Sequence, residues 1–279
     1  MRGTILFGID VESASQDTLA FVEHAGALFR ELNVPATWFV TGGTLEKYPD
    51  VFRKVDGEGL IDLQGHTYSH LLLKTVLMQL PDGITAHGSV GWHMVPGASP
   101  QQIDEDLARC QKVFRNALGR EATALTTPWA YYRGLGDRPD LLEIVHTHGF
   151  RALRSFGRNE RDCQPVPLEW QPFFYKPQGF PDVLECLIHD YQDDFYWEMF
   201  APEQDGKNYA DHLRKVADRV AAENLTWSLC SHDHHWADRE SRESKLTWMR
   251  GLLEHALELR LRFLTISGYY EEMRNRGTQ

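Results

Sequence analysis

Short apolar runs alternate with longer amphipathic segments along most of this chain, and that alternation restricts its fold more than any other feature. Residues 4–9 have the near-continuous apolar character of a strand that is covered on both faces. Residues 18–32 follow with apolar side chains at helical spacing. Strands that are joined through helices run parallel, because each helical crossover returns the chain to the end of the sheet at which the previous strand began. The sequence therefore predicts an α/β protein.

The pattern predicts seven strands and six helices. The strands are residues 4–9, 36–40, 60–63, 122–125, 150–153, 225–230 and 263–266, and the helices are residues 18–32, 50–55, 100–118, 139–148, 209–223 and 243–259. Six or seven such strand-and-helix units in one chain favour a barrel or partial barrel over an open sheet. In either architecture the active site lies at the carboxyl ends of the strands.

No Ser/Pro-rich linker divides the sequence, so we expect a single catalytic domain over residues 1–279. Two stretches, residues 71–98 and 159–208, show no clear period. They are too long for plain connections. Long loops on a scaffold of this kind commonly shape binding sites.

Charge and cysteine content exclude several kinds of partner. A formal net charge of −11 is opposite in sign to the basic footprint of nucleic-acid-binding proteins. No apolar stretch is long enough for a transmembrane segment, and no export signal follows Met1, so we expect a cytoplasmic protein. Four cysteines without a Cys-x-x-Cys pair form neither a zinc ribbon nor a disulfide framework. Nothing in the sequence indicates the oligomeric state.

Two histidines follow the third predicted strand at a spacing of four residues, His66 and His70. About half of all chains with this histidine content contain such a pair by chance, so the spacing alone is weak evidence for a metal site. A four-residue spacing places both imidazoles on one side of a helical turn, where they can share a cation. Gly65 suits a sharp strand exit and favours that reading slightly.

Two carboxylates follow the first predicted strand, Asp10 and Glu12. Acidic residues in such a loop often cap the next helix, but Ser13 and Ser15 can supply that cap here. One carboxylate and two histidines form a three-ligand site with open positions, as in metal-dependent hydrolysis. The second carboxylate would then serve as a general base.

The segment from Ser231 to His235 follows an apolar strand and contains three histidines and Asp233. It fits a surface loop or a second metal cluster, with at least one imidazole facing inward. The chain has no Gly-x-Ser-x-Gly elbow, no P-loop and no Gly-x-Gly-x-x-Gly fingerprint.

Four segments in this order resemble the polysaccharide deacetylases of the NodB-homology type, carbohydrate esterase family 4. The segments are Ile9-Asp-Val-Glu12, Gly65-His-Thr-Tyr-Ser-His70, Thr127-Pro-Trp129 and Leu229-Cys-Ser-His-Asp233. Residues 263–266 also resemble the last strand of that family. The likeness extends over residues 5–272, and the Asp-x-Glu spacing resembles a divergent branch.

The resemblance implies a NodB-like distorted (β/α) barrel and one divalent metal ion. Zinc is the ion we favour, although the same ligands suit iron, cobalt, nickel or manganese. By this resemblance Asp10 is the catalytic base and His232 the general acid, while the metal ligands are Glu12, His66 and His70. Pro128 and Trp129 fall where the family places a backbone N–H against the oxyanion.

The sequence departs from the family at its third motif. Thr126 stands where an arginine normally orients the catalytic base, and Ala130 replaces a glycine. Arg154, at the end of the next predicted strand, is a candidate substitute for that arginine. An ordinary surface salt bridge is the alternative role for Arg154.

We expect a hydrolase that removes an N-acyl group, acetyl or formyl, from an amino sugar or glycoconjugate precursor. The substrate is expected to be small or linked to a lipid or nucleotide, and Trp92, Trp129 and Trp236 are candidates for stacking on a sugar ring. Two alternatives are an allantoinase-like metal amidohydrolase on the same fold and a non-catalytic sugar-binding protein. A third is an enzyme docked on a membrane through residues 71–80, although these leucines suit a core equally well.

Overall fold

The computed structural model describes residues 3–80, 91–200 and 206–276. Its strands are β1 (Thr4–Val11), β2 (Ala36–Val40), β3 (Ile61–Gly65), β4 (Val76–Leu80), β5 (Gly91–Val95), β6 (Ala124–Tyr132), β7 (Ala152–Arg158), β8 (Phe173–Tyr175), β9 (Phe180–Glu185), β10 (Thr226–His232) and β11 (Arg262–Phe263). Its helices are α1 (Gln16–Leu32), α2 (Gly42–Lys47), α3 (Pro49–Glu58), α4 (Pro100–Leu118), α5 (Pro139–Thr147), α6 (Asp193–Phe200), α7 (Gly206–Glu223), α8 (Arg239–Glu258) and α9 (Ile266–Arg276).

The main sheet has the strand order β10-β1-β2-β3-β6-β7-β9-β8, and β11 pairs with β1. Within it, β1, β2, β3, β6, β7, β9 and β10 pair in parallel, which confirms the predicted α/β fold with about seven parallel strands. The short strand β8 pairs antiparallel with β9.

The sheet curls until its two ends approach each other. The N–H of His189, just after β9, donates to the carbonyl of Ser228 in β10 over 2.9 Å. Arg154 of β7 contacts Thr126 in β6 and Leu229 in β10 from inside the curl. Pairing of the described strands does not complete the ring, and the His189–Ser228 hydrogen bond and the side chain of Arg154 connect its two sides.

Local capping explains where the long helices begin. Ser15 accepts the backbone N–H of Asp17 at the start of α1, so Asp10 and Glu12 are not needed as caps. Ser99 and Gln102 form a reciprocal capping box on α4, with Pro100 as the first helical residue. The helix α4 therefore begins at residue 100, as predicted, and α1 begins two residues before its predicted start.

Both stretches that lack a sequence period contain regular structure. Residues 71–98 include the antiparallel hairpin of β4 and β5, and residues 81–90 lie outside the described part of the chain. Residues 159–208 include β8, β9, α6 and the start of α7, with residues 201–205 again outside it. The prediction missed β9 because Pro181 and Asp182 interrupt its apolar pattern.

The last predicted strand, residues 263–266, is wrong at its carboxyl end. The strand β11 ends at Phe263, and α9 begins at Ile266. Thr265 caps this helix, since its hydroxyl accepts the N–H of Gly268 and its carbonyl accepts the N–H of Tyr269. A cap of this kind converts an apolar run into a helix start.

Within the described residues, no helix is both long and apolar enough to cross a membrane. One predicted helix boundary shifts at α8, and one further short helix was not predicted. The helix predicted at residues 243–259 begins earlier, because Asp238 accepts the N–H of Ser241 and caps α8. A short helix that the sequence analysis did not identify, α2, follows β2 directly and is capped by Thr41.

Candidate active site

The carboxyl ends of β1, β3 and β10 meet and bring four predicted residues together. Asp10 lies near the end of β1, directly opposite His232 at the end of β10 in the parallel register. Glu12 follows β1, and His66 follows β3. This placement agrees with the general position of active sites in parallel α/β folds.

Glu12, His66 and His70 form one cluster. The Nε2 atoms of His66 and His70 lie 2.7 Å and 3.0 Å from Oε2 of Glu12, and one ligand atom from each residue lies within 4.8 Å of the others. The Nδ1 of His66 lies 3.1 Å from the carbonyl of Thr126, which fixes Nε2 towards the cluster. His66 is buried and His70 is partly exposed.

The two histidines meet through a tight turn, and the predicted helical turn is therefore wrong. Thr67 and His70 have φ values of 54° and 59°, which no helix allows. The hydroxyl of Thr67 accepts the N–H of Leu71 and closes the turn. The imidazole rings still converge, with centroids 4.9 Å apart and planes at 80°.

The carboxyl group of Glu12 has an unusually low pKa in this cluster. Burial by itself would raise the pKa of Glu12, but hydrogen bonds from His234, His66 and His70 outweigh it and hold that pKa far below its ordinary value. Burial lowers the pKa of His66, whereas the nearby carboxylates of Asp10 and Glu12 raise it, with a net increase. An ionised carboxylate therefore faces several imidazoles.

This donor set fits a divalent transition-metal ion. Imidazole nitrogen and carboxylate oxygen are ligands for zinc and its neighbours in the first transition row. The proximity of the three donor atoms, together with the hydrogen bond that orients His66, is the arrangement that metal-binding histidines require. Three protein ligands would leave coordination positions open.

Asp10 is paired with Arg154 inside the barrel. Arg154 is fully buried, and its Nη2 donates to Oδ1 of Asp10. Its Nε donates to the hydroxyl of Thr126 over 3.1 Å, so Arg154 occupies the space beside the residue that stands in place of the motif arginine. A surface salt bridge is therefore the wrong description of Arg154.

Gly8 makes room for this pair. A Cβ atom at Gly8 would overlap the guanidinium of Arg154. The thiol of Cys230 lies 3.5 Å from Oδ2 of Asp10 on the other side, and burial raises the pKa of that thiol well above its usual range. Cys230 is thus a buried neutral thiol.

His232 is held by two carboxylates that lie at the start of α6. Its Nδ1 lies 2.8 Å from Oδ1 of Asp193 and 3.6 Å from Oδ2 of Asp194. Lys245 lies 3.2 Å from Asp193 and is buried with it. Burial lowers the pKa of His232, but the carboxylates raise it to about 9. His232 therefore carries a proton at neutral pH.

Pro128 and Trp129 lie in a break of the ladder between β6 and β7. The pairing register shifts between Thr126 and Tyr131, where Trp129 and Ala130 have φ values of 67° and 47°. Pro128 is buried, whereas Trp129 is 41% exposed. The irregular backbone lifts residue 129 out of regular pairing at the end of the sheet that holds the cluster.

Residues 15–152 match the family model described as polysaccharide deacetylase. Residues 15–152 therefore belong to the polysaccharide deacetylase family. The match includes His66, His70, Pro128 and Trp129. No curated protein matches the sequence.

Solved structures of low sequence identity share the deacetylase fold. A putative polysaccharide deacetylase from Mycobacterium smegmatis is 16% identical with a TM-score of 0.64, covering 98% of this chain and 91% of its own. A probable polysaccharide deacetylase from Pseudomonas aeruginosa PAO1 is 13% identical with a TM-score of 0.65, covering 96% and 89%. The allantoinase PuuE is 14% identical with a TM-score of 0.61, covering 94% and 87%.

The candidate active site contains one histidine that the sequence analysis did not single out. The Nε2 of His234 lies 3.0 Å from Oε1 of Glu12, and its Nδ1 lies 2.8 Å from Oδ2 of Asp194. Its ring stacks on that of His232, with centroids 5.1 Å apart and planes at 13°. Burial lowers the pKa of His234, but Asp194 and Glu12 raise it to about 11.

Asp233 connects the carboxyl ends of β1 and β10 at the candidate active site. Its side chain accepts the backbone N–H groups of Glu12 and Ser13 over 3.0 and 3.1 Å, and also the hydroxyls of Ser13 and Thr18. Asp233 is completely buried. It therefore fixes the backbone on which Glu12 lies, a role the sequence analysis did not assign.

The three candidate tryptophans have different surroundings. Trp236 is fully buried and its Nε1 donates to the carbonyl of His232, so stacking of Trp236 on a sugar is wrong. Trp129 is the exposed one. The side chain of Trp92 lies outside the described part of the chain.

Proposed function

We propose that this protein is a metal-dependent hydrolase that removes an N-acetyl or N-formyl group from an amino sugar or glycoconjugate precursor. Family membership supports a deacetylase that acts on carbohydrate. The observation that carries the finer proposal is the register of β1 and β10. It places Asp10 opposite His232, next to the cluster of Glu12, His66 and His70.

Glu12, His66 and His70 would hold one divalent ion, for which zinc is our first choice. Such an ion supplies Lewis acidity to the acyl oxygen and to the attacking water. Asp10 takes a proton from that water, and Arg154 holds the carboxylate of Asp10 in place.

The leaving nitrogen needs a proton, since an amide releases a poor leaving group. His232 is protonated and is oriented through Nδ1 by Asp193, which leaves its Nε2 free to deliver a proton. The backbone N–H of Trp129 stabilises the developing oxyanion. Its exposed indole ring is in a position to stack on a sugar.

The substrate test is release of acetate or formate by the metal-reconstituted protein. N-acetyl and N-formyl hexosamines are offered free, linked to a nucleotide, linked to a lipid and as short polymers, with Asp10→Asn as the inactive control. We expect release from at least one of these classes. Ring opening of a ureide without acyl release would instead support the allantoinase-like alternative, and binding of sugars without turnover would support the binding-protein alternative.

A further inference from the structure

The two oxygens of Glu12 face different partners. Oε2 lies against the Nε2 atoms of His66 and His70, whereas Oε1 lies 3.0 Å from Nε2 of His234. The proposed ligand set therefore uses only one side of the carboxylate. A separate side chain holds the other side.

His234 is itself held in place. Its Nδ1 lies 2.8 Å from Oδ2 of Asp194, the second residue of α6. Asp194 lies 3.6 Å from the buried amine of Lys245. A chain of contacts thus runs from Lys245 through Asp194 and His234 to Glu12.

A parallel chain of contacts supports the proposed acid. Asp193 holds His232 over 2.8 Å, and Lys245 contacts Asp193 as well. The two imidazoles stack nearly parallel. Two neighbouring carboxylates at the start of α6 therefore orient two histidines. One is the proposed acid, and the other contacts Glu12.

We propose that His234 is a positioning residue that holds Oε1 of Glu12 and so keeps Oε2 directed at His66 and His70 as a single-oxygen ligand. Asp194 fixes the ring of His234 for this purpose. The inference rests on the proposed metal-dependent function. Groups that orient metal ligands in this way commonly contribute 10- to 100-fold to metal affinity.

The test measures metal binding directly. Zinc dissociation constants are obtained by competition with a chromophoric chelator, and the visible absorption of the cobalt-substituted protein reports the ligand set. The variants are His234→Ala, His234→Gln and Asp194→Asn. The matched control is His235→Asn, which changes an exposed neighbour whose φ of 59° asparagine tolerates.

We expect His234→Ala to weaken zinc binding about 10- to 100-fold, with cobalt bands that keep their intensity because the ligands are unchanged. His234→Gln should recover part of the affinity, since its amide N–H can reach Oε1 of Glu12. Asp194→Asn should fall between these two variants, and His235→Asn should bind like the native protein.

Native affinity in His234→Ala would overturn the inference. A large change in cobalt band intensity would also overturn it, because His234 would then be a ligand. A native protein that binds no metal would overturn the proposed function itself, which distinguishes the two failures. Circular dichroism confirms that each variant is folded.

Discussion

Arg154 and Asp10 form a buried ion pair although their strands are not neighbours. The sheet order places β2, β3 and β6 between β1 and β7, so the guanidinium crosses the interior of the curled sheet to reach the carboxylate. The same side chain contacts Thr126 and the carbonyl of Leu229. Curvature of the sheet therefore brings these two residues together, and the pair connects β1 with β7 across the interior.

Replacing Arg154 with methionine tests this pair. Methionine retains an apolar stem but leaves Asp10 buried without a counter-charge, which costs about 3–5 kcal/mol of unfolding free energy. We expect urea denaturation to show this loss, together with loss of most turnover.

The double variant Arg154→Met/Asp10→Asn separates charge from packing. Neutralising both partners should restore most of the stability, because no lone charge remains buried, while activity stays low. If the double variant is no more stable than Arg154→Met, the guanidinium stabilises the fold through its packing and not through its charge.

Asp10→Asn tests the assignment of the two carboxylates. Asparagine preserves the shape but cannot accept a proton, so turnover should fall about 10²- to 10⁴-fold. Metal content, measured by elemental analysis, should be unchanged. Loss of metal in this variant would mean that Asp10 is a ligand and that Glu12 and Asp10 have been given each other's roles.

The sequence predicted the strands that precede Asp10 and His232 because both are mostly apolar, and a helix cap at Ser15 because capping chemistry is local. It could not predict that Arg154 reaches Asp10. That contact depends on how far the sheet curls, which no local pattern encodes.

Asp193 and Asp194 were missed for a similar reason. They lie in a stretch without a sequence period, and their partners are 38 to 52 residues away. His234 carried a usable signal, since residues two apart on an extended chain face the same side. His232 and His234 have that spacing and do stack.

Proton delivery by His232 should show in the pH dependence of kcat/KM. Because the pKa of His232 is raised to about 9, activity should fall as the pH rises through about 9 and the acid loses its proton. Asp193→Asn removes the carboxylate that raises this pKa, so the alkaline limb should move to lower pH. The control Asp182→Asn lies beside His146 and should leave the limb in place. An unmoved limb in Asp193→Asn would exclude His232 as the titrating acid.

Protonation of His232 should also contribute to folding stability. Its folded pKa of about 9 lies above the value of about 6.5 for a free imidazole. The stabilisation is therefore fully present below pH 6.5 and is lost as the pH rises through about 9. His232→Ala should flatten this part of the stability profile, as measured by urea denaturation across that pH range. A profile as steep as that of the native protein would assign the effect to another group.

Asp233→Ala should destabilise the protein by about 2–5 kcal/mol. The change leaves the backbone N–H groups of Glu12 and Ser13 without their acceptor, and each orphaned buried donor costs about 1–3 kcal/mol. Urea denaturation measures the loss. The control Asp104→Ala removes an exposed partner of His148 and should cost less than about 1 kcal/mol. Equal losses in both variants would contradict a clamping role for Asp233.

The most direct test of the account is the metal content of protein purified without a chelator. We expect about one equivalent of divalent metal per chain, as three ligands around one position imply, and little metal in His66→Gln. His148→Gln, which changes a histidine outside the cluster, should retain it. No metal in the native protein, even after reconstitution with zinc, cobalt and iron, would contradict the central claim that Glu12, His66 and His70 form a metal site.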